Sequence, residues 1–125
     1  MILVDTGIWL DFWLERPYTD PLVKLLEDNV VLGHELVIEE LALGQLGSPP
    51  VREEALQELR KLPMAPLARL DEVMALVEQE QLAGKELNVA GAHLLASARM
   101  ASAQLWTREK RTAEVAQSLG HLYRP

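Results

Sequence analysis

The sequence predicts an α/β domain in which a mostly parallel sheet is covered by helices on both faces. The chain has 125 residues, a usual length for one domain with one core. Short apolar runs alternate with longer segments of helical periodicity, which is the pattern of strands connected by helices. No repeat, low-complexity tract or linker divides the chain, so we expect residues 1–125 to form a single domain.

An apolar run and two helix-start signals predict a strand and two helices in the first 28 residues. Residues 2–5 form a short apolar run that ends in an acid, which is typical of a buried strand. Thr6 is a plausible cap for a helix that places four apolar side chains at helical spacing: Ile8, Trp9, Phe12 and Trp13. Asp20 followed by Pro21 predicts a second helix, which continues to about Asp28.

The middle of the chain reads as strand, helix, helix and brief strand. Residues 30–32 are a candidate strand, and residues 35–45 a helix that the turn-forming residues 47–50 would stop. The next helix carries one apolar stripe, formed by Val51, Ala55, Leu59 and Leu62. Residues 64–65 are a candidate brief strand.

The last third contains the most apolar helix. Asp71 is a plausible cap for a helix that ends near Gly84. Residues 89–103 are rich in alanine and nearly apolar all round, which is typical of a buried helix. Residues 104–107 read as a strand, and residues 111–119 as the last helix.

Composition excludes several classes of protein. There is no cysteine, so no disulfide or thiolate metal site can form. The apolar start is interrupted at Asp5, and no stretch approaches the ~18 apolar residues of a membrane span. We therefore expect a soluble cytoplasmic protein. Its net charge of −7 disfavours broad nonspecific binding to nucleic acid, although a local basic patch could still bind RNA.

Acidic residues at the predicted sheet edge are candidates for metal chemistry. Ligands of parallel α/β sheets gather outside the carboxyl ends of the strands. Asp5 ends the first strand, and Glu109 follows the last one. Mg²⁺ prefers hard oxygen ligands, and it can activate water and neutralise phosphate charge during phosphodiester hydrolysis. Acids alone are weak evidence, because most of the 19 Asp and Glu residues are expected to be solvated surface charges.

Four blocks of local sequence make this chemistry more specific. They are M-I-L-V-D-T-G-I-W-L-D-F, V-I-E-E-L-A-L-G, G-A-H-L-L-A-S-A and L-W-T-R-E-K-R. In this order and at compatible spacing they resemble the PIN-domain ribonucleases, and most closely the VapC toxins of toxin–antitoxin pairs. The resemblance implies a three-layer α/β/α sandwich and an endoribonuclease that depends on Mg²⁺, with Mn²⁺ as a possible substitute. It also implies a homodimer and a small antitoxin that blocks the active site.

The resemblance assigns roles to four positions. Asp5 matches the first catalytic and metal-binding acid, and Glu40 the second. Helical periodicity alone cannot choose between Glu40 and its neighbour Glu39, which stands where relatives commonly have glycine. Gly91 occupies the place of the usual third acid, an aspartate. Glu109 replaces the aspartate of the fourth block as the remaining catalytic and metal-binding acid, and it keeps the charge one methylene further from the backbone.

Two altered positions leave two main interpretations open. The chain is either a toxin-type ribonuclease with impaired activity or a catalytically inactive relative that binds an antitoxin or itself. A plain dimerisation module is a third interpretation. Since Gly91 offers no side-chain ligand, the sequence predicts that Gly91→Asp would restore Mg²⁺ binding and RNA cleavage.

Polar residues near these acids are candidates for supporting roles. Thr6 and Thr107 could hydrogen-bond site carboxylates, although helix capping and strand-edge polarity explain them equally well. Arg108, Lys110 and Arg111 could hold RNA phosphates, and a solvated turn is the alternative.

Two further features bear on the first predicted helix. Gly7 stands where relatives tend to carry serine. The aromatic stripe of Trp9, Phe12 and Trp13 is predicted to be core rather than a platform for stacking bases. The family resemblance allows part of this helix to face an antitoxin.

Overall fold

Three parallel strands form the centre of the fold, in the spatial order β2-β1-β3. They belong to a computed structural model that describes residues 1–45 and 47–125. In chain order the elements are β1 (Ile2–Val4), α1 (Thr6–Trp13), a 3₁₀ helix (Pro17–Thr19), α2 (Pro21–Glu27), β2 (Val31–Leu32), α3 (Glu35–Leu43), α4 (Pro49–Arg60), α5 (Leu70–Gln79), α6 (Val89–Met100), β3 (Gln104–Trp106) and α7 (Lys110–Ser118).

The sheet is short, and single bridges extend it on both sides. Ile2 pairs in parallel with Val31 of β2 and with Gln104 of β3. An isolated parallel bridge joins Gly33 to Met64, so the predicted strand at residues 64–65 consists of one bridge rather than a ladder. Because all three strands run in the same direction, Asp5 and Thr107 emerge side by side at one edge, where the Asp5 amide donates to the Trp106 carbonyl at 2.9 Å.

The helices pack in two groups around this sheet. Helix α3 contacts α1 and α4, whereas α6 contacts α5, α7 and β3. The predicted burial of α6 is confirmed, since seven of its twelve residues are buried, including Leu94 and Leu95. The result is the α/β/α arrangement that the sequence predicts. None of the helices among the described residues is both long and apolar enough to cross a bilayer.

Several predicted helix starts are displaced by a residue or two. Asp5, rather than Thr6, caps α1, because its carboxylate accepts from the Thr6 amide at 2.7 Å. Helix α5 begins at Leu70, so Asp71 lies inside its first turn instead of capping it. At α1 two neighbouring residues are suitable caps and the surrounding chain selects one, whereas at α5 the Glu72 carboxylate accepts from the Arg69 amide at 3.0 Å, so the helix starts without a cap at Asp71.

Helix ends differ for the same kind of reason. Of residues 47–50, which are predicted to stop α3, the last three begin α4, with Ser48 as the cap and prolines in the first turn. Helix α3 ends earlier, at Leu43, and α5 ends at Gln79 rather than near Gly84. Leu46, inside the predicted boundary region, lies outside the described residues.

A buried histidine joins the two groups of helices. His34 follows β2 and is fully buried, with Nδ1 accepting from the Leu36 amide at 3.1 Å and Nε2 lying 2.9 Å from the Ser97 hydroxyl of α6. Burial, together with the nearby His93, lowers the pKa of His34 to about 4. Protonation would place a charge in the core and remove the acceptor of the Leu36 amide.

We therefore expect the protein to lose stability under mild acid. Between the unfolded pKa of about 6.5 and the folded pKa of about 4, the unfolded chain binds the additional proton. The contribution of neutral His34 to the free energy of unfolding is present above the unfolded pKa. The free energy of unfolding should therefore fall by about 2 kcal/mol from pH 7 to pH 5. Urea unfolding at several pH values measures this slope, and His34→Gln should remove most of it. Equal slopes in parent and variant would contradict this role of His34.

Candidate active site

An acidic cleft of about 370 Å³ opens at the carboxyl ends of β1 and β3. It is lined by residues of α1, α3, α6 and α7 and of the segments directly before α1, α6 and α7: Asp5, Thr6, Gly7, Leu10, Glu40, Asn88, Ala90, Gly91, Leu94, Arg108, Glu109 and Thr112. The three acids singled out in the sequence, Asp5, Glu40 and Glu109, all line this cleft. Residues from distant parts of the chain thus meet where ligands of parallel sheets usually bind.

Asp5 is fixed from two sides. One carboxylate oxygen, Oδ1, accepts from the backbone amide of Thr6 at 2.7 Å, and the other, Oδ2, accepts from the hydroxyl of Thr107 at 2.7 Å. The first contact starts α1, and the second ties the ends of β1 and β3 together. Asp5 therefore presents its carboxylate in one orientation, with the remaining lone pairs available to a ligand.

Glu40 lies on α3 and reaches the same place through Thr6. The Thr6 hydroxyl donates to Oε1 of Glu40 at 3.2 Å, so this one threonine links the two acids through its amide and its side chain. Burial and the negative charge of Asp5 raise the pKa of Glu40, against the opposing effect of the Thr6 hydrogen bond. Glu39, the other candidate from helical periodicity, does not line this cleft.

Glu109 has a structural task at the rim of the cleft. It is the cap of α7, and its carboxylate accepts from the backbone amides of Arg111 at 3.4 Å and Thr112 at 2.7 Å. The Thr112 hydroxyl donates to it as well. These hydrogen bonds, first among them that of the Thr112 side chain, lower the pKa of Glu109. Both carboxylate oxygens are thus engaged with the start of α7.

Gly91, at the position of the usual third acid, is closely surrounded. A Cβ built there would lie 2.5 Å from the Thr112 hydroxyl oxygen and 3.0 Å from Oδ1 of Asn88. Asn88 caps α6 by accepting from the Gly91 amide at 2.6 Å. Thr112 itself is almost fully buried. The space that an aspartate would enter is therefore filled by two side chains with hydrogen bonds of their own.

Asp5 and Glu40 are the two linked acids of the cleft that could hold a small divalent cation. Burial and, second to it, the charge of Asp5 raise the pKa of Glu40, and a cation bound by both carboxylates would offset their repulsion. Within residues 1–45 and 47–125, no three His, Cys, Asp or Glu side chains are grouped as a metal site. Two carboxylates are nevertheless a usual protein contribution to a Mg²⁺ site, where waters and substrate phosphates complete the shell.

The three basic candidates differ in position. Arg108 lines the cleft, and its Nη1 donates to both carboxylate oxygens of Asp11 at 2.8 Å. Arg111 instead forms ion pairs with two glutamates outside the cleft, Glu86 and Glu114, each at 3.0 Å. Lys110 is exposed and does not line the cleft. Of the three, only Arg108 is placed to meet a ligand beside the acids.

Sequence reasoning missed Thr112 and Asn88. Both line the cleft and occupy the surroundings of Gly91. Asn88 could have been recognised as a cap, since it directly precedes the apolar periodicity of α6. No signal in the sequence indicates that Thr112, 21 positions after Gly91, would fill the space beside it.

A second, apolar groove lies on the other surface of α1. It has a volume of about 520 Å³ and is lined by residues of α1, α2 and α4 and by the segment after α4: Trp9, Phe12, Trp13, Leu26, Val51, Glu54, Ala55, Glu58, Leu59 and Leu62. Trp9 is core, as the sequence predicts, whereas Phe12 and Trp13 are only partly buried. The buried indole nitrogen of Trp9 has no hydrogen-bond partner among the described residues.

Comparison with known proteins identifies the family. The PIN domain family model matches residues 2–118. Ribonuclease VapC32 of Mycobacterium tuberculosis, strains CDC 1551 / Oshkosh and ATCC 25618 / H37Rv, is 43% identical over 112 residues. These residues cover 89% of this chain and 86% of that protein. The chain therefore belongs to the PIN domain family, among the proteins of VapC type.

Proposed function

We propose that this protein is a metal-dependent endoribonuclease of toxin type. The observation that carries the proposal is the pairing of Asp5 and Glu40 through Thr6 at the carboxyl ends of the strands. The ribonuclease name of its relative supports RNA as the substrate. Asp5 and Glu40 would hold Mg²⁺ or Mn²⁺, which supplies Lewis acidity and an activated water when bound.

The chain's own residues would orient this site. Thr107 and the Thr6 amide fix the Asp5 carboxylate, and the Thr6 hydroxyl fixes Glu40, so both acids are held before substrate arrives. Glu109 keeps negative charge at the rim while capping α7. Its role as a further metal ligand stays a prediction, because it would have to give up hydrogen bonds to Thr112.

The partners we propose are RNA, a cognate antitoxin and a second copy of the chain, in the cytoplasm. The apolar groove supports the antitoxin, since it is lined by the partly buried aromatic side chains of Phe12 and Trp13. An amphipathic segment of the antitoxin fits such a surface. The VapC-type relatives support the antitoxin as a partner, and the homodimer stays a prediction from the family resemblance.

One observation favours a second candidate function, that of a catalytically inactive binding module. Gly91 offers no carboxylate, and Glu109 uses both of its oxygens at the start of α7. A protein in which only Asp5 and Glu40 are paired in the cleft could have kept antitoxin binding or self-association while losing hydrolysis. The two functions differ in whether RNA is cut.

The two neighbouring glutamates of α3 provide a matched test of the nuclease. The purified chain should cleave a mixture of cellular RNAs with Mg²⁺ or Mn²⁺, and EDTA should stop the cleavage. Glu40→Gln should reduce the rate at least about 100-fold, since it removes a metal ligand. Glu39→Gln removes the same charge outside the acidic cleft and should leave the rate within about twofold. Absence of cleavage by the parent with either metal would favour the binding module.

A further inference from the structure

Arg108 is held at the acidic cleft by a carboxylate that does not line it. Asp11 of α1 is 7% exposed, and both of its oxygens accept from Nη1 of Arg108 at 2.8 Å. Tyr18, from the 3₁₀ helix, donates its hydroxyl to the same carboxylate. Asp11 is therefore buried with its charge fully partnered, and the side chain of Arg108 runs between it and the cleft.

Gly7 leaves the space through which Arg108 passes. A Cβ built at Gly7 would collide with Nε of Arg108 and would lie 3.1 Å from both its Cδ and its Cγ. The backbone of Gly7 is ordinary helix, so the glycine is not needed for its conformation. Because Gly7 has no side chain, the Arg108 side chain can pack directly against α1.

Arg108 also has donors left over. Both hydrogen bonds that it donates among the described residues come from Nη1, and its side chain remains 53% exposed. Nε and Nη2 donate no hydrogen bond within the described residues. No other basic side chain in the described part of the chain lines the acidic cleft, although Asp5, Glu40 and Glu109 make its field negative.

We propose that Arg108 binds a phosphate of the RNA backbone beside Asp5 and Glu40, and that Asp11 is the residue that positions it. This inference rests on the proposed function. An RNA strand entering a cleft with three carboxylates needs a cation to offset the repulsion of its phosphates. An arginine anchored by one nitrogen can offer the others in a fixed orientation, which reduces the entropy lost on binding.

The opposite role for Asp11 is sequestration of Arg108. In that case the carboxylate would compete with RNA for the guanidinium, and removing its charge would strengthen binding. The two roles predict changes of opposite sign for Asp11→Asn, which keeps the shape of the side chain. Whether Asp11→Asn weakens or strengthens RNA binding therefore decides between the two roles.

Binding measured without divalent metal separates this inference from catalysis. The probe is a fluorescent pool of random-sequence 2′-O-methyl oligoribonucleotides in EDTA, followed by anisotropy at several salt concentrations. Arg108→Gln should weaken binding about tenfold and lower the slope of log K against log salt by about 0.7, the value for one phosphate contact to a single strand. Arg124→Gln is the charge-matched control, because Arg124 pairs with Gln117 outside the acidic cleft.

Two further variants test whether Asp11 and Gly7 position the side chain of Arg108. Asp11→Asn and Gly7→Ala should each weaken binding several-fold without reducing the salt slope, because Arg108 keeps its charge but loses its orientation. Neither should have a further effect in the Arg108→Gln background. Asp28→Asn, an exposed carboxylate paired with Lys24, controls for the loss of one negative charge. Circular dichroism checks that each variant is folded, and Tyr18→Phe is the milder variant if Asp11→Asn unfolds.

The results distinguish failure of the Arg108 inference from failure of the nuclease proposal. Tighter binding by Asp11→Asn, unchanged binding by Arg108→Gln, or no binding by the parent would overturn the inference. A parent that binds through Arg108 but cleaves no RNA with Mg²⁺ or Mn²⁺ would overturn the nuclease proposal alone.

Discussion

Asp5→Asn should reduce RNA cleavage at least about 100-fold while leaving the protein folded. The substitution removes the charge that a divalent cation needs but keeps an oxygen acceptor at the cap of α1. Asparagine is as good a helix cap as aspartate, so the contact with the Thr6 amide can survive. The variant should therefore unfold at nearly the parent's denaturant concentration.

Asp20→Asn is the matched control for this experiment. Asp20 also precedes a helix, α2, but its side chain makes no capping hydrogen bond and does not line the acidic cleft. Cleavage of the same RNA mixture by the two variants, with stability measured in parallel, separates chemistry from folding. Equal activity of Asp5→Asn and Asp20→Asn would remove Asp5 from the site.

Gly91→Asp should destabilise the protein by about 2 kcal/mol and should not by itself restore a metal ligand. The sequence predicts restoration, but the Cβ of an aspartate would stand 2.5 Å from the Thr112 hydroxyl oxygen. Thr112 is buried, and its hydroxyl bonds Glu109, so it cannot move aside without disturbing the cap of α7. Gly91→Ala, which tests the Cβ without the charge, should be destabilised for the same reason.

The double variant Gly91→Asp/Thr112→Ala tests this explanation. Removing the Thr112 hydroxyl gives room to the new side chain and also releases one bond to Glu109. The double variant should be more stable than the sum of the two single changes predicts, and it should bind Mn²⁺ more tightly than the parent does. Urea unfolding with and without Mn²⁺ measures both quantities. A stable Gly91→Asp single variant with increased metal affinity would contradict the steric account.

The sequence predicted most of the fold because its elements depend on local patterns. The apolar run before Asp5 and the alanine-rich segment after Asn88 specify a buried strand and a buried helix without reference to the rest of the chain. Boundaries were less predictable, since Asp5 and Thr6 are both suitable caps and only the course of the chain after β1 selects one.

The site was predictable where it follows from topology or family resemblance, and not where it depends on tertiary contact. Asp5 falls at the end of a parallel strand, so its place beside the last strand follows from the fold class. Arg108 and Asp11 are 97 positions apart, and nothing local to either indicates their ion pair. The filling of the space at Gly91 by Thr112 is of the same kind.

Calorimetric titration with Mn²⁺ tests most directly whether Asp5 and Glu40 form the metal site of this protein. The parent should bind Mn²⁺, and Asp5→Asn should lose that binding, since the remaining carboxylate of Glu40 cannot hold the cation alone. Binding of Mn²⁺ with the same affinity by parent and variant, or no binding by the parent, would contradict the account.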